Sequence, residues 1–438
     1  MTLTTPITVV RGRFLDIQKT VSQAQDIIDQ VRYIEDGVLI AKQGQIRWFG
    51  SWDDAQAHLP ANVEIQHYPE QLIIPGMIDT HIHFPQTEMV GAYGEQLLSW
   101  LNTYTFPTEI QFQDPSYAQK IAEFFTQELL KNGTTTALVF CTVHPESVDA
   151  LFEAAAQQQM RLIAGRGMMD RHAPEALCDT AESAYEDSKA LIGKWHGQGR
   201  ALYAITPRFA PTSTPEQLER AGQLKAEFPD VYVHTHLSEN KDEIAWVKDL
   251  FPAQKGYLDV YHHYGLTGNR SVFAHCVHLE DAEWQCMHET DSAIAFCPTS
   301  NLFLGSGLFP LKKTWQQQVK VGLGTDIGAG TSFSLLQTVN EAYKVQQLQG
   351  DKLSTFESLY HATLGGAKAL DLDDKLGNFN VGKEADFVVL NLKPTALQQL
   401  RQSRSKSIED SLFALFTMGD DRNIEATYIY GQKAYSQS

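Results

Sequence analysis

Three observations predict an α/β fold, a (β/α)8 barrel of the TIM type with a small β-sandwich formed by the N- and C-terminal segments. Across residues 74–376 short apolar runs alternate with stretches of helical period, the pattern of βα units around a parallel sheet. The runs number eight, as a closed barrel requires. Residues 1–73 and 377–438 carry strand texture instead, and at 438 residues the chain exceeds the ~250–300 at which a single core stops growing.

The first segment alternates apolar and polar residues in Ile7–Ile17, Gly37–Ala41 and Gln45–Gly50, with Gln43-Gly44 as a hairpin turn. After Ile74-Pro75-Gly76 the barrel runs follow as Ile74–His81, Thr134–Phe140, Arg161–Met168, Ala201–Pro207, Val231–His236, Ser271–His275, Ser292–Cys297 and Val319–Thr325. Amphipathic helices are predicted over Ser116–Lys131, Pro145–Gln157, Thr180–Trp195 and Pro215–Glu227, the last with Thr214 as its N-terminal signal. Two more follow the eighth strand, Ser334–Gln349 and Ser354–Ala369. The tail returns to strands in Ala385–Leu390 and Ala426–Ala434, around a helix near Glu409–Phe416.

Composition narrows the function. A formal net charge of −18, from 35 Lys+Arg against 53 Asp+Glu, repels phosphate backbones and anionic lipids, so no nucleic-acid polymer is expected as a partner. A neutral small molecule is unaffected by that field. The five cysteines contain no Cys-x-x-Cys pair and read as reduced thiols of a cytoplasmic protein. Met1 to Gln18 lacks the apolar core of a signal peptide, and no run reaches the ~18 apolar residues of a membrane span.

In Asp79-Thr80-His81-Ile82-His83 two histidines stand two apart on a strand, so both rings share one face and can meet one metal. Three more ligand-type residues end other strands: His236, His275 and Asp326. Barrel active sites lie at that end of the strands. His234 points the same way as His236 and is its rival; His236 is preferred because the strand ends there and Glu239 follows. The remaining histidines have no competing ligand spacing, and Cys141 and Cys297, also at strand ends, read as small core thiols.

The segments Pro75-Gly76-Met77-Ile78-Asp79-Thr80-His81-Ile82-His83, Thr235-His236-Leu237-Ser238-Glu239 and Gly324-Thr325-Asp326, with the tail Gly377…Gly382-Lys383-Glu384-Ala385-Asp386, resemble the amidohydrolase superfamily. Within it the chain is most similar to the guanine deaminases, in His83-Phe84-Pro85-Gln86, Arg208-Phe209-Ala210-Pro211-Thr212, Ser300-Asn301-Leu302-Phe303-Leu304-Gly305-Ser306-Gly307 and Phe416-Thr417-Met418-Gly419-Asp420-Asp421. The resemblance implies hydrolysis of the 2-amino group of guanine to give xanthine and ammonia, in a homodimer.

Two-metal members of that superfamily need a bridging carboxylated lysine where this chain has Thr206-Pro207-Arg208, so one metal per chain is expected. His81, His83, His236 and Asp326 would hold it, with His275 beside the bound water as a ligand or a hydrogen-bonding neighbour. That donor set suits zinc, with iron as the alternative. Asp326 and Glu239 are the expected proton carriers, with His275 at their side. The base is expected among His83, Phe84, Pro85, Gln86, Arg208, Phe209, His236, Glu239 and Asp326, with the Arg208 fork on guanine O6 and N7. Another planar heterocycle, such as a pterin, an oxidised guanine or a triazine, is the competing substrate class. A non-catalytic scaffold of this fold would be expected to lose ligands that this chain keeps.

Overall fold

The computed structural model describes residues 7–94 and 96–437. Residues 1–6, part of the Met1 to Gln18 segment used above for the leader reading, lie outside the described residues. The chain opens with β1 (Ile7–Ile17), β2 (Val31–Lys42), β3 (Gln45–Ser51) and β4 (Ile65–Pro75). Gln43 and Gly44, with φ of 55° and 74°, make the expected tight turn between β2 and β3.

The barrel strands follow as β5 (Met77–His83), β6 (Thr134–Phe140), β7 (Arg161–Gly165) with its short continuation β8 (Gly167–Met168), β9 (Leu202–Pro207), β10 (Tyr232–Leu237), β11 (Ser271–His275), β12 (Ala293–Phe296) and β13 (Lys320–Leu323). They pair in parallel in chain order from β5 to β13. Bonds from Asp326 N to His81 O (2.9 Å), His83 N to Ile327 O (3.0 Å) and Thr80 Oγ1 to Leu323 O (3.0 Å) then bring the two ends of that order together. Two glycines permit the approach. A Cβ at Gly322 would stand 2.3 Å from Thr80 Cγ2, and one at Gly324 would stand 2.9 Å from His81 Cβ.

Alternation sorts each strand into two faces. Tyr232, Val272, Ala274, Ala293, Ala295, Leu138 and Ile163 fill the barrel, while Val233, Leu237, Phe273, Ile294 and Phe296 join the apolar layer under the helices. The helices Pro115–Lys131, Pro145–Gln157, Ala181–Trp195 and Pro215–Glu227 fall within one residue of expectation, and Thr214 Oγ1 accepts from Gln217 N at 3.2 Å as an N-cap. The last expected helix is instead two, Thr355–Ala362 and Leu364–Ala369, parted where Thr363 leaves helical geometry at ψ −95°.

The tail adds β14 (Phe387–Leu390), β15 (Ile424–Ile429) and β16 (Gln432–Ser436). The single strand expected over Ala426–Ala434 is a hairpin turning at Tyr430 and Gly431, both at positive φ. All seven terminal strands form one sheet, in the order β16-β15-β14-β4-β1-β2-β3. It curls until its far parts touch: Ala385 N donates to Gly44 O (2.8 Å) and Thr8 Oγ1 to Gly431 O (2.6 Å). Phe14, Phe379, Phe387, Val389 and Tyr428 pack inside the curl. Residues 74 and 75, expected in the first barrel strand, belong to β4 and pair with β14, because the chain turns from one sheet into the other at Gly76.

Candidate active site

His81 and His83, two apart on β5, share the barrel's inner face as the spacing requires. His236 meets them from β10: its Nε2 lies 3.1 Å from His83 Nε2, and the Asp326 carboxylate is 3.1 Å from His81 Nε2 and 3.4 Å from His83 Nε2. His275 closes the ring, with Nε2 3.8 Å from Asp326 Oδ2 and 3.5 Å from Glu239 Oε2. Alternation along β11 would turn His275 outward, beside Phe273. Left-handed backbone at His275 (φ 72°) and Cys276 (φ 53°) aims it inward, and Asp326 (φ 53°) is set the same way, local strain of the kind that collects at functional sites.

The outer nitrogens fix the rings. His236 Nδ1 donates to Arg208 O at 2.6 Å, so its Nε2 carries a lone pair toward the cluster. His275 Nδ1 donates to Asn301 Oδ1 at 2.9 Å, and His81 Nδ1 is 2.7 Å from His234 Nε2. His234 is thus the backing of His81, two residues deeper in the barrel than His236. Burial, reinforced by the neighbouring imidazoles and by Arg208, holds His81, His83 and His236 well below the ordinary histidine pKa, in the neutral form that binds metals. The Nε2 atom of His81 is buried without a hydrogen-bond partner. Such an atom beside two further imidazoles and a carboxylate fits a metal cation, which would satisfy it.

Asp79 anchors this floor by accepting from Thr325 N and His81 N, each at 3.1 Å, which ties the first barrel strand to the residue before Asp326. Above the floor lies a cavity lined by His83, Gln86, Arg208, Phe209, His236, Glu239, His275 and Asp326, with Leu97, Trp100, Leu101, Glu243, Leu304 and Ala329. Glu239 accepts from Ser306 Oγ at 2.9 Å, and burial, with Asp326 nearby, raises its carboxyl above the ordinary range. The expected site residues therefore converge, with two corrections. Phe84 turns into the core against Phe112 (5.0 Å) and Phe125 (5.7 Å), and Pro85 is buried in the 3-10 turn Phe84–Met89 and does not line the cavity. Neither side chain lines the cavity.

Sequence reasoning missed several groups. Glu109, in the short helix Phe106–Glu109, accepts from Arg208 Nη1 at 2.9 and 2.8 Å and from Gln86 Nε2 at 3.1 Å, while Gln86 Oε1 accepts from Gly328 N at 3.2 Å. The Gln86 amide expected to read the base is thus held at both ends. Leu97, Trp100 and Leu101 come from the same long connection after β5, where no periodicity announces them. Asn301 and Ser306, by contrast, lay inside a quoted motif.

Fold and metal-type cluster together define a hydrolase class: residues 72–434 match the amidohydrolase family, and the chain belongs to that family. It is 62% identical to a guanine deaminase of Escherichia coli (strain K12) over 98% of each chain. The E. coli guanine deaminase structure superposes with a TM-score of 0.96 at 59% identity, covering 99% of this chain and 100% of that one. A guanine deaminase from C. acetobutylicum with guanine bound in its active site superposes at 0.88 with 31% identity, covering 98% of this chain and 100% of that one.

Proposed function

We propose that the chain is a guanine deaminase that works with one zinc ion held by His81, His83, His236 and Asp326, with His275 beside it. The observation that carries the reading is one cavity in which that cluster faces Glu239 across a slot walled by Arg208, Gln86 and Phe209. The full-length likeness to guanine deaminases supports the same substrate.

A bound zinc ion supplies the Lewis acidity that brings a water's pKa toward ~7. The protein's groups do the rest. Arg208 holds O6 and N7, and Phe209 flanks the flat base, which sets C2 over the floor. Asp326 takes the proton of the attacking water, Glu239 protonates the ring nitrogen beside C2, and the C2–O bond forms. Asp326 then passes its proton to the exocyclic nitrogen, the C2–N bond breaks as the new C2 hydroxyl returns its proton to Glu239, and ammonia leaves xanthine behind. Burial, with Asp326 nearby, raises the Glu239 carboxyl, the direction that favours a proton-donating role.

Offered guanine, guanosine, adenine and cytosine, the purified protein should release ammonia from guanine and almost none from the others, by ~10⁴-fold for adenine, whose amino group meets the Arg208 fork donor to donor. Comparable kcat/KM on guanine and adenine would overturn the substrate reading.

A further inference from the structure

Resting on that reading, we propose that Glu109 is a positioning residue for base recognition, selecting which edge of the Arg208 guanidinium faces the substrate. A guanidinium has two edges able to donate paired hydrogen bonds, one using both terminal nitrogens and one using Nε with a single terminal nitrogen. Both Glu109 oxygens take Nη1, at 2.9 and 2.8 Å, which occupies the first edge. Nε and Nη2 remain as a parallel donor pair for adjacent acceptors such as O6 and N7 of a 6-oxopurine.

Burial makes the choice firm. Glu109 is 1% exposed and Arg208 5%, so rotating the fork would strand a carboxylate away from water. The same carboxylate accepts from Gln86 Nε2 at 3.1 Å, and Gln86 in turn receives Gly328 N, two residues past Asp326. A single acid thus aligns the base-reading arginine with the loop that carries the floor's carboxylate. Phe106, three residues earlier, places its ring 5.7 Å from the Arg208 Cζ and limits the fork on another side. No contact of Glu109 with the histidine cluster is needed, so its effect should depend on what the substrate offers to Arg208.

The test compares guanine with 2-aminopurine, which carries the same 2-amino group and N7 but lacks O6. In Glu109→Gln the kcat/KM for guanine should fall ~10- to 100-fold, mostly through KM, with metal content unchanged, while that for 2-aminopurine changes less than about threefold. Equal losses on both substrates, or guanine kinetics within twofold of the parent, would overturn the proposal. A parent enzyme inert toward guanine would instead refute the proposed function, a separate outcome. If Glu109→Gln does not accumulate folded, the comparison moves to Arg208→Met against Arg208→Met/Glu109→Gln. With no fork left to position, the second change should alter guanine kcat/KM less than about twofold, and a further tenfold loss would refute the role.

Discussion

The floor of the cavity and its wall are built by different means. His81, His83, His236, His275 and Asp326 stand at or just beyond the ends of barrel strands, His275 and Asp326 each turned inward by left-handed backbone. Gln86, Trp100, Leu101 and Glu109 come from the connection across residues 84–133 and are held by side-chain contacts such as the Glu109 to Arg208 pair. A ladder sets positions to a fraction of an ångström and repeats every second residue, so it leaves a trace in spacing. Side-chain contacts between distant loops leave none. Chemistry that every member of a fold class shares belongs on the first kind of support, and selectivity can be changed on the second without disturbing it.

The largest effect should follow from breaking the floor. Asp326→Ala, which removes the carboxylate we propose as both ligand and proton carrier, should cut guanine turnover by at least ~10⁴-fold with loss of bound metal, checked by elemental analysis beside ammonia release. Glu239→Gln, which spares the ligands, should keep about one metal per chain and lose ~10²–10⁴-fold in kcat. Parent-like turnover in that variant would remove Glu239 from proton transfer. Arg208→Lys probes the wall: a point charge cannot supply two parallel donors, so kcat/KM should drop about 100-fold with metal content intact.

The smallest effect belongs to a place remote from both. Arg161 Nε donates to Glu384 at 3.0 Å and Arg200 Nη2 at 2.5 Å, tying the barrel to the terminal sheet. Burial alone would raise the Glu384 carboxyl, but Arg200 and Arg161 outweigh it and hold it below its ordinary 4.5. A depressed acid contributes stability that is present above 4.5 and lost as the pH falls through the lower folded value. Glu384→Gln should therefore lower Tm by the equivalent of about 1–3 kcal/mol at pH 7 and flatten its fall in acid, with kcat unchanged. A variant that melted like the parent at pH 7 would show the tie to be idle.

How much was readable follows the same division. Eight runs and four long helices were legible because periodicity and caps are local, and the five floor groups because two stand a strand's step apart and the other three end or directly follow a run. The hairpin at Tyr430 and Gly431 hid inside one apolar stretch, since tyrosine does not advertise a left-handed turn. His234 competed with His236 because a two-residue step keeps the face and changes only depth. Glu109 left no mark: a carboxylate at the end of a short helix looks solvated until its arginine, 99 positions later, closes on it.

Translation adds a time order to the sheet that unites the chain ends. β4 is complete at residue 75 and β14 begins at residue 387, so at ~5–20 residues per second about 15–60 s separate the two. Throughout that interval residues 72–75, which later pair with β14, offer their backbone to any strand that comes by, with Ile73 and Ile74 alongside. Pairing with β14 withdraws that backbone from such encounters.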